Sequence, residues 1–318
     1  MRQLDNRNPA VGGNIKNFVL GSGLIGCLAK HIFPDWLMIP MKKSRYYYFE
    51  EPYADNFIIY DKAIDDFMIE LSPNNNTTII MKRPFSLQGQ LMSQETELTT
   101  LPYLQKVYGD KMPNAAHLLL KTVLSCYPMT AKMLYDKLQN RYLDSINADI
   151  KRYGELLRID LINHKLITTR GEFEYEHLIS TIPLDILCKF CNVEMQLEAI
   201  SVCYYSLRSK KIDLEKADQV LVCDSNIDFF KVQVIDEDVY QFWTSQVIDM
   251  PYQYFGLMIG YDFEILGAKR IDKVIPLGEP PSLDHFKRQQ IYCVGSNAQW
   301  NDFVDVTATI KKLRSMSF

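Results

Sequence analysis

Residues 18–26 read Phe-Val-Leu-Gly-Ser-Gly-Leu-Ile-Gly, an apolar strand running straight into Gly21-Ser22-Gly23-Leu24-Ile25-Gly26. No other feature of the chain restricts its fold as tightly. In a G-x-G-x-x-G the first glycine permits a tight turn out of the strand, and the second lets backbone approach a phosphate. The third lets the following helix pack closely on its strand. The helix N-terminus then faces the negative charge of a dinucleotide pyrophosphate. The run Leu24-Ile25-Gly26-Cys27 also imitates a bacterial lipoprotein cleavage site with Cys27 as the lipidated residue. Against that reading, the segment before Phe18 sets Arg2, Arg7 and Lys16 against Asp5 and lacks the positive character of a signal peptide.

The chain has 318 residues, enough for one large α/β domain or, more naturally, two domains. Hydrophobic residues make up 47% and charged residues 23%, which supports a real core and argues against disorder. The net charge of −4 gives no nucleic-acid signature, since basic residues gather only locally, as in Lys42-Lys43-Ser44-Arg45 and Lys311-Lys312-Leu313-Arg314. The second cluster fits the last turn of a helix, where cations are favoured. Seven scattered cysteines in a chain of this size fit reduced thiols and a cytoplasmic protein. Cys188-Lys189-Phe190-Cys191 is a CxxC with no second pair or nearby histidine, so two core thiols on one helix face are expected rather than a metal or redox centre. No run approaches the length of a membrane span.

Along the chain the glycine motif predicts a helix from Gly23 to about Phe33, then a second strand at Trp36–Ile39. Residues 45–70 are aromatic and irregular, and 72–78 form a loop. Residues 94–125 read as mostly helical, and 135–146 as a helix with one buried stripe. A hairpin follows at 156–160 and 166–169, and then a strand at 174–183. Apolar runs at 199–207, 219–223, 229–235, 239–244 and 254–259 predict a mainly antiparallel sheet, before a final strand at 290–294 and a final helix at 304–313.

Three stretches, in order, resemble FAD-binding flavoproteins of the amine-oxidase, protoporphyrinogen-oxidase and UDP-galactopyranose-mutase group. The first is Val19-Leu20-Gly21-Ser22-Gly23-Leu24-Ile25-Gly26. The second runs from Tyr127-Pro128 through a helix and the hairpin to Leu178-Ile179-Ser180-Thr181-Ile182-Pro183-Leu184. The third is Ile291-Tyr292-Cys293-Val294-Gly295-Ser296-Asn297-Ala298-Gln299-Trp300. The matches cover about a third of the chain. The resemblance implies an α/β protein: a Rossmann-like FAD-binding domain with a smaller substrate domain of mainly antiparallel β plus helices. Residues 15–50, 127–190 and 285–318 would form a discontinuous FAD-binding domain, and 51–126 and 191–284 the substrate domain.

By the same resemblance, Gly21, Ser22, Gly23, Leu24 and Ile25 would hold the pyrophosphate and Leu156 would meet the adenine through its main chain. Thr181 and Pro183 would flank the adenosine half. Gly295 and Ser296 would lie against the ribityl and phosphate, with Asn301, Phe303 and Val304 at a helix N-terminus aimed at the flavin ring. A ribose-binding acid is expected at the end of the second strand. Pro40 and Met41 stand there instead, so Glu50, in a stretch that also holds Arg45, is the alternative. Arg270, Lys273 and Trp300 are candidates for contacting a substrate.

The group's departures are Met129-Thr130 in place of a glycine pair and Ser296 in place of an arginine. No nucleophilic triad is legible among His31, His117, His164, His177 and His285, which read as surface or satisfied residues. The implied activity is oxidation of a small polar substrate by hydride transfer to FAD. The alternatives are a reduced-flavin mutase acting on a nucleotide sugar, and a non-catalytic module that binds a dinucleotide or a partner.

Overall fold

Phe18, Val19 and Leu20 are fully buried on successive faces of one strand, which only a sheet covered on both sides permits. A computed structural model describes residues 16–39, 57–73, 78–113, 120–301 and 304–318. Arg45, Glu50 and Phe303, and the side chain of Lys273, lie outside the described residues.

The chain opens with β1 (Lys16–Leu20), α1 (Leu24–Ile32) and β2 (Leu37–Ile39), followed by β3 (Phe57–Ile59) and α2 (Asp65–Leu71). Next come β4 (Ile79–Lys82), β5 (Phe85–Leu87), β6 (Gln90–Met92), α3 (Glu97–Tyr108), β7 (Val123–Thr130) and α4 (Ala131–Tyr153). Then follow β8 (Leu156–Asp160), β9 (Lys165–Thr168), β10 (Gly171–Ser180) and α5 (Leu184–Cys191). The second half holds β11 (Ala199–Arg208), β12 (Gln219–Val222), β13 (Phe229–Asp236), β14 (Val239–Thr244), α6 (Pro251–Ile259) and β15 (Glu264–Pro276). It closes with α7 (Asp284–Arg288), β16 (Ile291–Cys293), α8 (Ser296–Gln299) and α9 (Val306–Arg314).

Four strands run parallel in the order β2-β1-β10-β16. Their carboxyl ends stand level, with Leu20 opposite both Ile39 and Ser180, and Ser180 opposite Cys293. β10 serves two purposes: residues 171–174 pair antiparallel with β9 in a meander with β8, while Tyr175 to Ser180 form the centre of the parallel sheet. Leu28 of α1, Leu134 and Leu138 of α4 and Ile310 of α9 cover one face of that sheet. Leu184 and Leu187 of α5 and Phe286 of α7 cover the other. Each such fully buried side chain contributes roughly 1.5–3 kcal/mol.

The second sheet has seven strands in the order β15-β11-β14-β13-β12-β5-β6, antiparallel except where β12 meets β5. Aromatic residues fill both of its faces. Tyr204 and Trp243 pack with α3 on one side, and Tyr205, Tyr240 and Phe242 with Phe255 of α6 on the other. A small sheet, β3-β7-β4, joins the two halves.

The structure departs from the sequence reading in several places, and within the stretch 45–70 expected to be irregular it forms β3 and most of α2. Residues 254–259 lie in α6, not in a strand: Pro251 opens it, Gly260 closes it, and a run apolar on all sides has no period to separate helix from strand. β15, thirteen residues long, was not predicted. The helical stretch expected at 94–125 stops at Tyr108, and Val123 to Thr130, with Tyr127-Pro128 inside, is a strand. α4 runs from Ala131 to Tyr153, longer than the expected 135–146, because Thr130 caps its start by accepting from the Met133 N–H at 3.2 Å.

Candidate functional site

The parallel sheet reverses its strand order between β1 and β10, and a crevice at the carboxyl end of such a reversal is where open α/β sheets take ligands. Here the three glycines answer three different demands. Gly21 has φ of +100°, its N–H donates to the Ile39 carbonyl at 2.9 Å, and a Cβ on it would stand 2.6 Å from the Thr181 Oγ1. Gly26 has the Gly21 carbonyl where its Cβ would be, so any side chain would push α1 off β1. Gly23 is exposed with nothing within 4 Å of a Cβ, so here the open space lies outside the protein.

Gly23 is also the N-cap of α1, with no side-chain cap and no acid in the first turn. The first-turn N–H groups and the positive end of the helix dipole are thus left for an anion. Cys27, the would-be lipid acceptor, lies inside α1 fully buried, and burial pushes its thiol up to about 12.

Thr181 closes the crevice from the β10 side. Its N–H and its hydroxyl both donate to the Leu20 carbonyl, at 3.0 and 2.7 Å. Pro183 then caps α5. On the far side Val294 donates to the Ser180 carbonyl at 2.9 Å, and Gly295, with φ of +97°, brings its backbone against Ile25 of the glycine turn. A Cβ on Gly295 would be 3.1 Å from Ile25 Cγ1. Ser296 begins α8, and its carbonyl accepts from the Asn301 N–H at 2.9 Å. Gly21 to Ile25, Thr181, Pro183, Gly295 and Ser296 therefore belong to loops that leave three adjacent strands at one level.

Other sequence candidates fall elsewhere. Leu156 opens β8 in the meander, buried and paired with Thr168. The last helix begins at Val306 rather than at 304, and Asp305 caps it by accepting from the Ala308 N–H at 2.6 Å, so a carboxylate of the chain already occupies its N-terminus. Arg270 sits exposed on β15 with its Nε donating to Asp272 at 2.9 Å. Trp300 is buried and its indole N–H donates to the Glu198 carbonyl at 3.0 Å. Cys188 and Cys191 are free, buried thiols on α5, raised by burial. Among the described residues no group of three ligands is arranged to hold a metal.

Sequence reasoning missed Ile39 and Leu20, whose carbonyls anchor the turn, because main-chain acceptors leave no signature. An open cleft of about 830 Å³ runs along α5 and the loop after it, lined by Asp185, Lys189 and Asn192 among others. It has no glycine turn and carries Asp185 in the first turn of α5, whereas the crevice at the sheet edge has a glycine turn and no acid in the first turn of α1.

A double-covered parallel sheet with a glycine turn, a meander feeding its central strand and a separate antiparallel sheet define a Rossmann-like α/β fold with a second, mainly antiparallel part. Solved structures agree. The chain is similar to reduced UDP-galactopyranose mutase, with a TM-score of 0.63 over 93% of this chain and 91% of that one at 10% identity. It is similar to a protoporphyrinogen-oxidase-like protein from Exiguobacterium sp. 255-15, with a TM-score of 0.60 over 96% and 98% at 13% identity. Aklavinone-11 hydroxylase, solved with FAD and aklavinone, gives 0.53 over 95% of this chain and 60% of that one at 9% identity. No protein-family model and no curated protein matches the sequence. The chain thus has the fold of the flavoprotein group its three stretches resemble. No described helix is long and apolar enough to cross a membrane.

Proposed function

We propose that this chain is an FAD-dependent oxidoreductase of amine-oxidase-like type acting on a small polar substrate. The observation that carries the reading is the contrast between Gly21 and Gly26, both closed by protein, and Gly23, open at the uncapped start of α1. A turn that needed glycine only for its own backbone would not leave the middle position free. The donor set suits a pyrophosphate: main-chain N–H groups and a helix end, with no carboxylate in the first turn.

In this reading Gly21 to Ile25 hold the pyrophosphate, Thr181 and Pro183 border the adenosine half, and Leu156 reaches the adenine. Gly295, Ser296, Asn301, Phe303 and Val304 border the flavin half, and Glu50 with Arg45 serves the ribose. Bound FAD supplies two-electron chemistry, and the protein supplies orientation and exclusion of water. The division into an FAD-binding part (15–50, 127–190, 285–318) and a substrate part (51–126, 191–284) is retained, with one amendment. Ile58, Ile64 and Phe67 pack in the same core as α1, α4 and α9, so residues 57–71 go with the FAD-binding part. Arg270 and Lys273 remain candidates for substrate contact from β15, and Trp300 is read as a support.

The test is the colour of the purified protein. Flavin absorbance bands and FAD released on denaturation support the reading, and colourless protein that takes up no added FAD leaves a non-catalytic module. Bleaching by added amines supports the oxidoreductase. Turnover of a nucleotide sugar only after dithionite reduction points instead to the mutase alternative.

A further inference from the structure

Trp300 is in the left-handed region, φ +51° and ψ +48°, a conformation usual for glycine or asparagine and uncommon for a bulky side chain. Such a conformation persists only where the surroundings over-determine it. Here Trp300 is the C-cap of α8, and its main-chain N–H donates to the Asn297 and Ser296 carbonyls. Its ring is packed in the core, and the buried indole N–H donates to the Glu198 carbonyl at 3.0 Å across 102 positions of chain. The same carbonyl accepts from the Leu277 N–H at 2.9 Å. Glu198 immediately precedes β11 and Leu277 immediately follows β15, so one oxygen joins the start of β11 to the end of β15, at one end of the antiparallel pair that borders the second sheet. The Glu198 carboxylate also pairs with Lys111, whose carbonyl accepts from Gly278 at 2.9 Å and ties in the end of α3.

On its other side Trp300 ends α8. Gln299 donates to the Gly295 carbonyl at 3.0 Å, and Gly295 lies against Ile25 in the glycine turn. An unbroken series of contacts therefore runs from the turn through Gly295, α8 and Trp300 to Glu198 and the antiparallel sheet.

We infer that Trp300 is a positioning residue that couples occupancy of the cofactor crevice to the placement of β11 and β15. The inference rests on the FAD reading above. FAD that orders the Gly295–Ser296 loop fixes the backbone of α8, and the indole then fixes Glu198 and the strand ends hydrogen-bonded to it. A purely structural tryptophan would hold those strands equally with and without cofactor.

The experiment is hydrogen exchange of the full chain, with and without added FAD, read in peptides covering 199–208 and 264–278. The wild type is expected to show exchange in these peptides slowed by FAD on the order of tenfold, within the usual span of coupling between sites. Trp300→Phe, which keeps the ring and loses the N–H, is expected to bind FAD with its visible bands intact while the slowing falls to less than about twofold. Trp300→His, which accepts the left-handed backbone and restores a donor, is expected to recover part of it and serves if the Phe variant does not fold. Full slowing in Trp300→Phe, or a wild type that turns yellow with no change in these peptides, overturns the coupling and leaves the FAD reading standing. A wild type that takes up no FAD overturns both.

Discussion

The carboxylate of Asp149, on the buried side of α4, accepts a hydrogen bond from the main-chain N–H of Met38 at 2.9 Å. Among the described residues β2 is an edge strand, and an unpaired N–H there would be a buried orphan. The Lys30 ammonium, buried and donating to the Trp36 carbonyl at 2.5 Å, stands 4.0 Å from the same carboxylate. The long helix thus closes the sheet edge with a side chain where another strand would have done so with backbone. Asp149→Ala should destabilise the protein by about 2–3 kcal/mol, because it orphans a buried donor and leaves Lys30 without its counter-charge. Asp149→Asn keeps the acceptor and should lose less. Urea unfolding measures both, and equal losses would show that the hydrogen bond to Met38 is not what matters.

The three glycines should separate folding from binding. A Cβ on Gly23 meets no neighbour, so Gly23→Val should lose only about 1 kcal/mol as a poorer N-cap, but should purify without FAD because its side chain fills the pyrophosphate space. Gly26→Ala drives a methyl into the Gly21 carbonyl and should cost about 2 kcal/mol of stability or more, with FAD lost as a consequence. Thermal melts and visible spectra on the same samples report both quantities. A yellow Gly23→Val protein would remove the pyrophosphate from this turn.

Acid should weaken the packing of α1 on α4 through His31. Its imidazole bonds to the Tyr142 hydroxyl at 2.8 Å and packs edge-on to Phe67. Burial lowers its pKa from the ordinary value; Glu70, 3.5 Å away, opposes this and Arg141 adds to it. A pKa depressed by folding means that folding favours the neutral ring. The associated stability is complete above the unfolded value near about 6.5 and is lost as pH falls toward the folded one. The melting temperature should therefore drop between about pH 7 and pH 5 more steeply in the wild type than in His31→Gln. Parallel slopes would assign the acid sensitivity to another group.

Gln241, fully buried on β14, has no partner for either atom of its amide, and the Gln233 oxygen opposite it on β13 also lacks one. An unpaired buried amide is a net cost, so Gln241→Leu should stabilise the protein by about 1–3 kcal/mol. A fall in melting temperature would instead show that an internal water satisfies the amide.

What could be read in advance follows a physical line. The glycine turn, β1, the meander and the strand ending at Ser180-Thr181 declare themselves locally, through backbone freedom and alternating burial. α6 was misread because its residues are apolar on every side, so no periodicity survives to show which way the chain turns. β15 went unnoticed because exposed Leu266, Gly267 and Ala268 at a sheet edge do not alternate. Arg45 and Glu50, the proposed ribose contacts, lie outside the described residues.

By itself the sequence determined where backbone must bend and where it must approach something closely. Gly21 and Gly295 are required by φ and Gly26 by contact distance, which a residue's identity reveals directly. Only the tertiary structure decided that β10 divides itself between a meander and a parallel sheet, that Leu20, Ser180 and Cys293 end at one level, and that Trp300 meets Glu198. Those relationships join residues far apart in sequence, as Trp300 and Glu198 are at 102 positions. They are set by packing that forms only when the whole sheet is assembled, and no short stretch of chain carries a record of it.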